Sequence, residues 1–113
     1  MNNDVLKQLY EVVINRKNNP QEGSYTCYLF DKGLDKILKK VGEESAEVII
    51  AAKGDNNNDT ANEICDLLYH LIVLMVQNNI PLDDVMAILD ERSKKIGNLK
   101  QFHVTDKNSW FAL

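Results

Sequence analysis

The run from Leu67 to Val76 limits this chain most. Ten residues are apolar on nearly every face, with Tyr69 and His70 the exceptions. They lie in a stretch, 60–79, whose pattern predicts a helix. A helix apolar on all sides must be covered on all sides. The run is well short of the ~20 residues that span a bilayer, so the cover is expected to be protein. A chain of 113 residues fits one domain with a limited core. Such a chain can complete its core by pairing with a copy of itself. Three more segments carry helical spacing. Residues 3–18 hold Val5, Leu6, Leu9, Val12 and Val13, with Asp4 early. Residues 34–53 hold Leu34, Ile37, Leu38, Val41, Ser45, Val48, Ile49 and Ala52 along one stripe. Residues 82–96 follow Pro81 and direct Leu82, Val85, Met86 and Leu89 inward, with Gly97 as C-cap. Asn58 or Asp59 is expected to cap the third helix. The expectation is an all-α, four-helix domain over 1–97 completed by homodimerisation, with an irregular tail over 98–113.

One stretch does not fit a simple helical reading. Ser24–Phe30 is rich in aromatic and β-branched residues and would suit a strand. No second strand candidate lies near it, so it is expected to be a packed loop. Asn18–Ser24 before it is a cluster of breakers. Net charge is −4, with a pI of about 5.1. A general nucleic-acid grip would want a basic excess, so no nucleic-acid partner is expected, and no membrane. Cys27 and Cys65 have no metal-binding or redox spacing. Nothing at Met1–Asp4 resembles a signal peptide, and the expected location is the cytoplasm.

The polar residues that adjoin the apolar helix carry the chemistry. Glu44 and Glu47 share one flank of the 34–53 helix with Lys40, and the wheel puts Glu43 on the far side, near Ile50. Glu63, Asp66 and His70 form a line along the less apolar side of the next helix. Carboxylates three apart on a helix lie on one side, a turn apart. Two such pairs would converge, and convergent carboxylates repel unless a cation sits among them. An oxygen-only donor set suits Mg²⁺ or Mn²⁺ rather than zinc. Ions there would bridge a polyphosphate and assist attack by water on phosphorus. Glu43, which the spacing leaves ambiguous, could orient or deprotonate that water, and Lys40 is a natural point charge for a phosphate. His70 is read equally as a satisfied core histidine and as a substrate contact; Tyr69 is read as packing.

Glu43-Glu44-x-x-Glu47 with Glu63-x-x-Asp66 resembles the signature of the all-α, MazG-like nucleotide pyrophosphatases. Ser24–Phe30, Gly33, the run from Lys36 to Glu44 and the run from Asp66 to Leu71 narrow the resemblance to the phosphoribosyl-ATP pyrophosphatase family. It extends from about Val5 to Arg92. It implies a Mg²⁺-dependent hydrolysis, the second step of histidine biosynthesis: 1-(5-phosphoribosyl)-ATP gives 1-(5-phosphoribosyl)-AMP and pyrophosphate. It implies metal ligation by Glu44, Glu47, Glu63 and Asp66. Glu43 would activate water or hold a second ion, and Arg16, Ser24, Tyr25, Lys40 and His70 would contact the substrate. It also implies a helical homodimer. The chain departs from the family's frequent fusion to the cyclohydrolase of the next step: 113 residues leave no room for that domain, so the free-standing form is expected. The tail after Arg92 matches nothing familiar. Two other readings use the same residues. One is a house-cleaning nucleoside triphosphate pyrophosphatase; the other is a non-catalytic helical interaction protein. A di-iron carboxylate bundle wants Glu-x-x-His pairs, and Asp66 stands where that His would be.

Overall fold

The computed structural model describes residues 4–95 and contains, among them, five α-helices and no strand. These are α1 (Val5–Asn18), α2 (Tyr25–Lys32), α3 (Leu34–Ala52), α4 (Asn57–Gln77) and α5 (Leu82–Ser93). The chain is therefore all-α, as expected. The four expected helices are present. The Gly97 cap and the tail over 98–113 lie outside the described residues.

The fifth helix, α2, occupies the stretch expected to be a loop. Its ends explain the difference. Ser24 is an N-cap: its hydroxyl accepts from the Cys27 backbone N–H at 3.2 Å. At the other end Gly33 takes φ +91°, ψ −171°, a region open in practice to glycine alone. That residue ends α2 and starts α3 with no loop between them. β-Propensity in a short segment depends strongly on context, and here packing outweighs it. Leu29 points into the core and is fully buried.

The chain divides into two units, one ending at Ile80 and one starting at Pro81. In the first, α3 and α4 form the most extensive helix pair, and α1 and α2 complete the layer against them and each other. Val13, Leu29, Ile37, Ile72, Val73 and Val76 make the core. Each fully buried aliphatic side chain of this size contributes about 1.5–3 kcal/mol. α1 is also tied to the end of α4, because the Tyr10 hydroxyl donates to the Ile80 carbonyl at 2.8 Å. That end closes with Asn79 at φ 57°. The Ile80 N–H meets the Met75 carbonyl (2.8 Å) and the Asn79 N–H meets Val76 (3.1 Å), the paired bonds of a Schellman stop. Asn56, rather than Asn58 or Asp59, caps the start of α4, accepting from the N–H groups of both.

Among the described residues the second unit holds one helix, α5. Asp83 and Asp84 stand in its first turn and Arg92 in its last, which complements the helix dipole. Leu82 is buried, but Met86 and Leu89, expected inward, are exposed. No single helix among the described residues is long and apolar enough to cross a membrane.

Candidate metal centre

A short turn, Lys53–Asn56, folds α4 back along α3. Glu44 and Asp66 stand at equal distances along the chain from Asp55, and so do Glu47 and Glu63. In an antiparallel helical hairpin residues related in this way face each other. The geometry agrees: Glu44, Glu63 and Asp66 each offer a carboxylate oxygen, and these oxygens all lie within 4.8 Å of one another. Glu44 is buried, Glu63 half-buried and Asp66 exposed, so the cluster opens outward past Asp66. Glu47 stays on the surface one turn beyond Glu44. It lines a neighbouring cleft of about 560 Å³ together with Glu63, Asp55, Asn56, Asp59 and Asn62.

Two observations bear on whether a cation fits. Glu44 Oε2 and Glu63 Oε2 are buried and have no hydrogen-bond partner. Buried carboxylate oxygens without partners are costly, and a divalent cation would satisfy both. The donor set is oxygen only, which matches Mg²⁺ or Mn²⁺. Glu44, Glu63, Asp66 and the nearby Glu47 are the residues that would hold it.

Lys40 sits one turn before Glu44, with Nζ 3.5 Å from Glu44 and 3.6 Å from Glu43. Burial alone would lower the pKa of its ammonium. Tyr25, Glu43 and Glu44 around it outweigh that and hold it above the ordinary lysine value. It is therefore a dependable positive charge beside the carboxylates. Glu43 is exposed on the Lys40 side of α3, not on the far side, and it is not one of the three clustered carboxylates. A side chain three residues from its partner reaches round the helix to meet it.

His70, buried at 4% exposure, joins α4 to α2. Its Nδ1 lies 2.7 Å from the Asp66 carbonyl oxygen, which can only accept. Nδ1 therefore carries the proton, and in the neutral ring Nε2 accepts from the Tyr25 hydroxyl at 3.0 Å. The histidine is thus satisfied and also attached to the site. Burial raises the Tyr25 pKa, Lys40 opposes this and Glu44 adds to it, so Tyr25 keeps its proton at neutral pH. Tyr25 stacks on Tyr28 with ring centres 6.0 Å apart, and Tyr69 meets His70 edge-on at 4.9 Å. Tyr69 also hydrogen-bonds Thr26, which pins α2 to α4.

The structure therefore brings Glu44, Glu63, Asp66, Lys40, Tyr25 and His70 together, with Glu43 and Glu47 at the margin. Ser24 acts as the cap of α2. Arg16 lines a separate cavity of about 450 Å³ with Lys17, Cys27 and Phe30. Sequence reasoning missed Tyr28 and the Thr26–Tyr69 bond. The available signal was the Tyr-x-x-Tyr spacing behind a serine cap, which a helical reading of 24–32 would have placed on one face.

Fold and site define a class: all-α proteins in which two antiparallel helices converge Glu and Asp side chains beside a lysine and a tyrosine–histidine pair. The family described as phosphoribosyl-ATP pyrophosphohydrolase matches residues 6–93, and the chain belongs to that family. It is 60% identical over 99 residues to the phosphoribosyl-ATP pyrophosphatase of Clostridium acetobutylicum, covering 88% of this chain and 90% of that protein. The Streptococcus gordonii phosphoribosyl-ATP pyrophosphatase is 56% identical over 91 residues, 80% of this chain and 88% of that one. A bifunctional histidine biosynthesis protein, HisIE, of Caldanaerobacter subterraneus subsp. tengcongensis is 55% identical over 92 residues. The match covers 81% of this chain and 45% of that larger protein.

Proposed function

We propose that this protein is a phosphoribosyl-ATP pyrophosphatase of histidine biosynthesis, working with Mg²⁺ and acting as a cytoplasmic homodimer. The observation that carries the reading is the Glu44–Glu63–Asp66 cluster with its two unpartnered buried oxygens, in a chain of this family. Mg²⁺ bound there, with Mn²⁺ a substitute, supplies charge neutralisation for a polyphosphate and makes the phosphorus a better electrophile. The chain's own groups do the rest. Glu44, Glu47, Glu63 and Asp66 set where the triphosphate lies. Lys40 contributes a fixed positive charge on the same flank and stabilises charge that develops on phosphate oxygen. Glu43, exposed beside Lys40, takes the proton of the attacking water. Tyr25, held by His70, offers an aromatic face and a neutral hydroxyl to the nucleoside. Water adds to the α-phosphorus and the α–β anhydride bond breaks. 1-(5-Phosphoribosyl)-AMP and pyrophosphate leave.

Exposed apolar side chains on the paired helices support the dimer: Ile49 and Ile50 on α3, Ile64 and Leu68 on α4. Large apolar side chains left exposed on a small domain are surface that a second copy can cover. The test of function is turnover of 1-(5-phosphoribosyl)-ATP against a panel of ordinary and damaged nucleoside triphosphates, with growth rescue of a histidine auxotroph that lacks this step. Hydrolysis of dNTPs without turnover of 1-(5-phosphoribosyl)-ATP would move the protein to a house-cleaning role.

A further inference from the structure

A second polar feature starts where the carboxylate cluster ends. On α3, Lys36 stands one turn before Lys40, which stands one turn before Glu44. Lys32, at the end of α2, approaches from the other helix. The ammonium groups of Lys32 and Lys36 both stand over one ring, that of Tyr28, at 5.8 and 6.0 Å from its centre. Tyr28 stacks on Tyr25, and Tyr25 is bonded to His70. The strip is continuous: carboxylates, Lys40, Tyr25, Tyr28, then two lysines. Lys40 has carboxylate partners within 4.0 Å, whereas among the described residues neither Lys32 nor Lys36 does. Two ammonium groups without a carboxylate partner thus stand near one tyrosine ring, in a protein of net charge −4.

The proposed substrate has matching chemistry. It is anionic at both ends, with a triphosphate on one ribose and a single phosphate on the other, and a purine lies between. Tyr25 and Tyr28 are both exposed aromatic side chains, which suit contact with a purine. Paired lysines suit a phosphate monoester dianion. We propose that Lys32, Lys36 and Tyr28 form a subsite for the single phosphate of the phosphoribosyl group, at the end of the substrate opposite the triphosphate, so that the enzyme distinguishes phosphoribosylated adenylates from plain ones. The proposal rests on the functional reading above and adds its specificity determinant.

The test compares the intact protein with the double variant Lys32→Gln/Lys36→Gln. Two quantities are measured: KM and kcat for 1-(5-phosphoribosyl)-ATP, and the inhibition constants of 1-(5-phosphoribosyl)-AMP and AMP. The expected result is a KM raised at least tenfold, with kcat within about threefold of the parent. The preference for phosphoribosyl-AMP over AMP should fall at least tenfold, and the KM should depend less on salt. Lys36→Arg alone should keep most of the preference, and Tyr28→Ala should weaken both inhibitors. An unchanged KM, or equal weakening of phosphoribosyl-AMP and AMP in the double variant, overturns the subsite. Failure of the wild-type protein to hydrolyse 1-(5-phosphoribosyl)-ATP overturns the functional reading itself, and that is seen before any variant is made.

Discussion

Replacing Asp66 by Asn separates a metal site from an ordinary acidic surface. Three carboxylate oxygens lie within 4.8 Å of one another. At that distance two unit charges repel by about 3.5 kcal/mol at an effective dielectric near 20, and by about 1 kcal/mol in water. Asp66 is the exposed member, so the lower figure applies to its two pairs. The Asn variant therefore removes about 2 kcal/mol of repulsion from the metal-free protein while leaving no new buried group. With Mg²⁺ the balance reverses. A cation at a hundred times its dissociation constant stabilises the folded state by about 2.7 kcal/mol. For a domain of this size that is a Tm shift of roughly 10 °C. The assay is thermal melting in EDTA and across a Mg²⁺ titration, with calorimetry for binding. The variant should melt no lower than the parent in EDTA, lose the Mg²⁺-dependent rise, and lose at least ~100-fold in turnover. A variant that keeps the full Mg²⁺ shift, or that is destabilised equally with and without metal, would refute the cluster as a metal centre.

Other outcomes follow from single contacts. Tyr25→Phe removes the hydroxyl from His70 Nε2 but keeps the ring; denaturant unfolding should show a loss of about 1 kcal/mol, and steady-state kinetics a larger loss of turnover than of folding. Gly42 lies within α3, and a Cβ there meets nothing within 4 Å, so Gly42→Ala should raise stability by about 0.5–1 kcal/mol in the same assay. Tyr69 has its pKa raised above 10.0 by burial, with the Thr26 hydrogen bond opposing. The folded state then holds this proton more tightly than the unfolded state, so the stability it contributes is complete below pH 10 and is lost as pH rises through the folded value. Alkaline melts of Tyr69→Phe should fall less steeply with pH than those of the parent. Ile64→Glu, at an exposed position on α4, should give monomers in sedimentation if α4 lies at the dimer contact; an unchanged oligomer would exclude that face.

Periodicity made α1, α3, α4 and α5 legible to within a few residues, because long amphipathic helices are defined mostly by their own spacing. α2 was less legible. Its eight residues have strand-like side chains, and its identity depends on Ser24, Gly33 and the pocket that takes Leu29. The direction of Met86 and Leu89 was also not readable, since a helix wheel marks an apolar face but not what lies against it.

The sequence by itself determined the all-α class and which carboxylates could share a site, because a three-residue spacing on a helix fixes their direction. The family resemblance was legible in the same residues. The turn at Lys53–Asn56 decided the rest. By folding α4 back on α3 it put Glu63 and Asp66 against Glu44 and left Glu47 at the edge of the adjoining cleft. Helix spacing sets angles within a helix, whereas the approach of two helices depends on the core that packs between them. Tertiary structure alone also attached His70 to Tyr25 and brought Lys36 of α3 over the Tyr28 ring, which Lys32 reaches from four residues along the same helix. The His70 and Lys36 contacts join residues from different helices, and no spacing along the chain encodes them.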